Sequence, residues 1–259
     1  MSAIKPCSSA IRPLTLSEPV VSLSPMPSDV PSQPPAVQAP AAAVAAFFDM
    51  DHTVLSASSG LLYIRYLRRI GYLPWWRWVR ILSWVGLYAA GFLDFPHLMG
   101  RLMAQVAGAG EAEAWRLSDA WFQAMLRDYI AAGARERIAW HRAQGHHVAI
   151  VSAATPYAVR PVAQALALQD AYLATRLEIL DGHFTGKVLS PACYGAGKVI
   201  LTHNYATTHG LDLAHSYFYS DNHRDLPLLE AVGHPVAVNP SRKLARIAAV
   251  RGWPVERFY

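Results

Sequence analysis

Four short apolar runs, each stopping at a polar residue, constrain this chain more than any other feature: Ala43–Asp49, His147–Ser152, Ser216–Asp221 and Pro235–Asn239. A strand buried on both faces reads this way, because it has no solvent side to carry alternating polar residues. Helix-length segments lie around and between them, at 157–168, 198–209, 226–232 and 242–250. Strand and helix therefore alternate, and the expected class is α/β with a parallel, Rossmann-like sheet. Asp49 and Ser152 stand 103 residues apart, whereas a minimal strand-helix-strand unit takes roughly 30 residues. An insertion is required. Residues 56–134 show helical spacing and no strand alternation, so they are expected to form an α-helical cap, with the core built from 43–55 and 135–259. Asp181-Gly182, between 176–180 and 183–188, signals a tight hairpin that is expected to extend the sheet edge.

Composition sets the outer limits. Apolar residues make up 53% and charged residues 16% of the chain, against roughly 25% charged in an ordinary globular protein, which excludes disorder of the whole. Residues 1–42 differ: nine of the 18 prolines fall in the first forty positions, with no Gly, Trp or Tyr. Such a segment cannot bury enough surface to offset its ordering, and is read as a disordered or polyproline-like tail. No run meets the ~18 uninterrupted apolar residues of a membrane span: Val30–Phe48 is broken by four prolines, and Ile81–Leu93 has only 13 residues. Two cysteines, Cys7 and Cys193, supply neither a disulfide framework nor a zinc set. No secretory signal is evident, so a cytoplasmic location is expected.

The strongest chemical signal is Asp49-Met50-Asp51-His52-Thr53. Side chains alternate along a strand, so Asp49 and Asp51 leave on one face and repel each other unless a cation or a shared proton intervenes. A capping aspartate followed by a turn aspartate is the plainer reading. At the second strand end, Val151-Ser152-Ala153-Ala154-Thr155 offers a hydroxyl and backbone amides entering a helix, which suits an anion. Gly195-Ala196-Gly197-Lys198 places one lysine after flexible backbone, without the first glycine or the Ser/Thr of a P-loop. At the third strand end, Ser220-Asp221-Asn222-His223-Arg224-Asp225 adds two carboxylates four residues apart, hard oxygen ligands suited to magnesium.

In this order, the DMDHT, VSAAT, GAGK and SDNHRDLPLL segments resemble the haloacid dehalogenase superfamily, in its subfamily IB, phosphoserine-phosphatase-like branch with a C1-type cap after the first strand. The resemblance covers about residues 44–240. It implies a phosphomonoester hydrolase with Asp49 as nucleophile and Asp51 as general acid and base. Ser152, Ala153 and Lys198 would hold the phosphoryl group, and Mg²⁺ would bind Asp49, Asp51 through its carbonyl, and Asp221. Thr53, Asn222 and Asp225 would support the site. Ser58 stands where phosphoserine phosphatases carry a glutamate, and Arg224 where they carry an asparagine, which points to a different small or amphiphilic phosphate ester. Two other readings stay open: a silent lipid- or protein-binding module on this fold, and a phosphotransferase using the same aspartyl-phosphate.

The cap has its own signature. Trp75, Trp76, Trp78 and Trp84 fall within ten residues, and between positions 60 and 101 six arginines face one acid, Asp94. The tryptophans are expected mainly to pack the cap. The rival expectation is a peripheral membrane contact, since indoles favour headgroup depth and arginines attract anionic lipid. No nucleic-acid module surrounds these residues, so no nucleic-acid partner is expected.

Overall fold

Six parallel strands form the central sheet of the structure, a computed structural model that describes residues 43–259. The tail expected over 1–42, with Cys7, lies outside the described residues. Strand β1 (Ala45–Phe48) is followed by helices α1 (Ser59–Arg69), α2 (Trp75–Ala89), α3 (Phe95–Ala104) and α4 (Glu111–Ala124), a short 3-10 turn, and α5 (Ala132–Ala143). The chain then runs through β2 (His147–Val151), α6 (Pro156–Ala165) and β3 (Tyr172–Leu173), and through the hairpin strands β4 (Leu177–Leu180) and β5 (His183–Val188). Helix α7 (Ala196–His209), β6 (Tyr217–Ser220), α8 (Leu226–Leu229), β7 (His234–Val238), α9 (Arg242–Arg251) and β8 (Val255–Glu256) complete it.

The sheet order is β3-β2-β1-β6-β7-β8, every pair parallel. Strand β1 lies between β2 and β6, so connections leave it in both directions and a crevice opens beyond the carboxyl ends of these three strands. Period-two alternation explains why both faces are apolar. Ala46 and Phe48 enter one core cluster, with Ile150, Val162 and Tyr219, while Ala45 and Phe47 enter the other, with Val151, Phe218, Leu228 and Leu244. Phe47 and Phe48 are completely buried, a burial worth about 1.5–3 kcal/mol for each ring.

The expected strands all form. Two more, β3 and β8, add edge pairs of two residues each that no apolar run announces. The hairpin also forms, with Asp181 at φ 49° and Gly182 at φ 75° as a two-residue turn demands. Its expected place does not hold: β4 and β5 make a separate two-stranded sheet. The sheet edges are taken by β3 and β8, and the hairpin instead bonds the helical insertion. The amide of Gly108 donates to the Phe184 carbonyl, that of Phe184 to Ala109, and that of Glu111 to Gly182.

Candidate active site

Each functional segment begins where a strand of the crevice ends. Asp49 directly follows β1, Ser152 follows β2, and Asp221 follows β6. Lys198 arrives from the start of α7, and two glycines bring it there. Gly195 takes the left-handed φ of 53° that turns the chain into the helix, and a Cβ on Gly197 would lie 2.0 Å from the Ala192 carbonyl oxygen.

The centre of the site is a buried ammonium between two buried carboxylates. Lys198 Nζ donates to Asp49 Oδ1 at 2.6 Å and to Asp225 Oδ2 at 2.7 Å. Ser220 Oγ donates to Asp225 Oδ2 at 2.8 Å, fixing that carboxylate, and accepts from the Asn222 amide. Burial disfavours the charged lysine, yet the charges of Asp225 and Asp49 outweigh it and hold its pKa above the ordinary value. Asp221 bonds through its carbonyl to the Ser241 amide. Burial first, then the charge of Asp225, pushes its carboxyl up to about 7. The Asp49 carboxyl is likewise raised, chiefly by burial, with Lys198 opposing and Asp225 and Asp221 adding.

Asp51 turns toward the insertion. Its Oδ1 accepts from the Ser59 amide at 3.1 Å, and the Ser58 hydroxyl donates to Oδ2 at 3.5 Å, so the carboxylate caps the first turn of α1. Burial raises its pKa against these hydrogen bonds. The capping and chemical readings of this residue are thus compatible, because one oxyanion can serve both. Among the described residues none donates to the Asp51 carbonyl. Thr53 is buried, and its hydroxyl has no partner among them. Ser152 Oγ accepts from the Ala154 amide at 3.1 Å, which leaves its proton free, while no described carbonyl takes the Ala153 amide. Asn222 is used locally: its Oδ1 accepts from the Arg224 amide and starts the turn that carries Asp225.

The donor chemistry fits a hard divalent cation. Asp49, Asp51, Asp221 and Asp225 outnumber the one ammonium, and carboxylate and carbonyl oxygens are the hard donors such an ion takes. Among the described residues no three His, Cys, Asp or Glu side chains converge as a ready cage. Two carboxylates and the Asp51 carbonyl are the donors these residues offer. Sequence reasoning assigned no role to Ser220, Ser59 or Tyr88. Tyr88, from α2, lies under the Arg224 guanidinium at 4.8 Å and brings the insertion against the site. Ser220 stands at a strand end like Ser152, the one signal that marked it.

A family model for haloacid dehalogenase-like hydrolases matches residues 46–230, the stretch from β1 to just past α8. The chain belongs to this family. It is 36% identical over 249 residues to a probable phosphatase of Mycobacterium tuberculosis, covering 92% of this chain and 83% of that one. A phosphoserine phosphatase of the same organism is 32% identical over 222 residues, 83% of this chain and 70% of its own. Among solved structures, a Bordetella pertussis protein of unknown function aligns with a TM-score of 0.78 at 31% identity, over 84% of this chain and 99% of that one. The expected family, fold class and phosphatase assignment are met.

Proposed function

We propose that this family member is a Mg²⁺-dependent phosphomonoester hydrolase that works through an aspartyl-phosphate on Asp49 and takes a small or amphiphilic organic phosphate. The observation that carries this reading is the buried ammonium of Lys198 held between Asp49 and Asp225 at 2.6 and 2.7 Å. A lysine so placed favours an ionised Asp49 and offers a fixed positive charge to an incoming phosphate dianion. Asp49, Asp221 and the Asp51 carbonyl would hold the metal. Bound there, Mg²⁺ supplies positive charge that offsets repulsion between the phosphate oxygens and the attacking carboxylate.

In the first step an Asp49 oxygen forms a bond to phosphorus as the ester oxygen leaves, and the Asp51 carboxyl gives that alkoxide its proton. The raised pKa of Asp51 suits a group that must carry a proton before it donates one. In the second step water bonds to the same phosphorus and gives a proton to the Asp51 carboxylate. Inorganic phosphate departs, and Asp49 returns as a carboxylate. Ser152 and the Ala153 amide donate to the phosphoryl oxygens throughout, with Lys198, and Asp225 keeps Lys198 in position. Thr53 lends a buried hydroxyl beside the two acids. The helical segment 56–134 acts as the cap, and its Ser58 and Tyr88, with Arg224 of the core packed on Tyr88, set which ester body fits.

A phosphomonoester panel spanning phosphoserine, histidinol phosphate, phosphocholine and lysophosphatidate, run with Mg²⁺ and with chelator, tests the reading. Metal-dependent phosphate release from at least one member is expected. Release that persists in full in chelator would overturn the metal dependence, and no release from any of them would overturn the substrate class.

A further inference from the structure

The outward face of α2 is the part of the molecule that the hydrolase reading leaves unused. A surface helix ordinarily turns its apolar stripe to the core. In α2 a single residue, Ile81, is buried, and the solvent-facing stripe carries Trp75 at 66%, Trp76 at 46%, Val79 at 48% and Leu87 at 43% exposure. Positions 75, 76, 79, 83, 86 and 87 fall on one side at 100° per residue, and Ile81 and Tyr88 fall on the other. The expectation that the tryptophans mainly pack the cap fails for Trp75 and Trp76. The turns at the two ends of α2 add Ile70, Tyr72 and Phe92, the last 83% exposed.

Charge says what such a face meets. Between positions 60 and 101 six arginines stand against Asp94 alone, and Asp94 is engaged by His97 at 2.6 Å. None of the six is in an ion pair among the described residues. Arg77 and Arg80 lie over the Trp76 ring at 5.1 and 5.3 Å, and Arg80 and Arg101 over Trp84 at 5.3 and 5.8 Å. Guanidinium groups stacked on indoles beside an exposed stripe of tryptophan, valine and leucine match an anionic headgroup layer, which takes the charge and the rings at one depth. A second copy suits this face less, because a two-fold contact would bring two excess-positive surfaces together. No described helix is long and apolar enough to cross a membrane.

We propose that the outward face of α2, with its flanking turns, docks the protein on the surface of an anionic lipid bilayer, independently of whether the site turns over a phosphate ester. The test is co-sedimentation of the full chain with vesicles of phosphatidylcholine alone or mixed with phosphatidylglycerol, at low and high salt. Binding to the mixed vesicles at low salt, lost at high salt, is expected. Trp75→Ala with Trp76→Ala should lower the bound fraction about tenfold, and Arg68→Glu with Arg69→Glu, the exposed pair that ends α1 beside Ile70, should remove the preference for phosphatidylglycerol. Circular dichroism of both variants should match the parent. The proposal is overturned if the parent chain stays in the supernatant, or if the tryptophan variant binds as well as the parent. It is equally overturned if the parent is a dimer that the tryptophan variant dissolves, with no vesicle binding.

Discussion

Lys198 Nζ lies 2.6 Å from Asp49 Oδ1, although the two residues are 149 positions apart in the chain. That contact joins the end of β1 to the start of α7, and Asp225 closes it from the turn between β6 and α8. Asp49→Asn keeps the shape but removes the negative oxygen that would attack phosphorus. Phosphate release should fall at least about a thousandfold while the thermal unfolding profile stays close to that of the parent. Retained turnover in this variant would remove Asp49 as nucleophile.

Asp225→Ala leaves the buried Lys198 with one carboxylate in place of two and takes the partner from Ser220 Oγ. Breaking one side of a buried, hydrogen-bonded ion pair costs about 3–5 kcal/mol. The urea midpoint should drop accordingly, together with the activity. A variant with unchanged stability would mean that Asp49 alone holds the lysine.

Gly197→Ala tests how Lys198 is delivered. The added methyl would lie 2.0 Å from a main-chain oxygen, that of Ala192, which cannot rotate away as a side chain would. The start of α7 must shift, at a cost of roughly 1–3 kcal/mol. Turnover should suffer more than stability, because the ammonium moves with the helix.

Much of this arrangement was legible before any coordinate. Strands β1, β2, β6 and β7 announced themselves because they are buried on both faces, and in the first three the polar residue that ends the run, Asp49, Ser152 or Asp221, stands at the crevice. Strands β3 and β8 were not legible, since two residues carry no pattern. Asp181-Gly182 specified a turn but not a neighbour. Where the hairpin docks depends on the 108–111 segment, which its own sequence does not encode. Ser220 was missed for a related reason: its bond to Asp225 depends on how the following turn folds, and a serine at a strand end is common. On α2 the helical spacing was legible and the packing of its tryptophans was not: Trp75 and Trp76 face out, because spacing does not show which side of a helix is covered.

Acid should destabilise the fold through His141. This buried ring meets His146 Nδ1 at 2.8 Å and the Tyr219 hydroxyl at 2.8 Å. Burial first, then the charges of His146 and Arg137, lowers its pKa from 6.5 to about 3. The unfolded chain therefore binds a proton near pH 6.5 that the folded chain refuses, so stability is full above that pH and falls below it. Linkage sets the loss on the order of 3 kcal/mol between pH 6.5 and about pH 4. His141→Gln should flatten this slope in denaturant titrations at several pH values, and an unchanged slope would place the acid sensitivity elsewhere.

The hairpin stitched to the 108–111 segment lies, along the chain, between Ser152 and Lys198. Its second strand, β5, ends at Val188, and the seven residues that follow lead straight into α7 and Lys198. One anchor therefore serves two ends of the molecule, the segment that enters α4 and the stretch of chain that delivers Lys198 to Asp49.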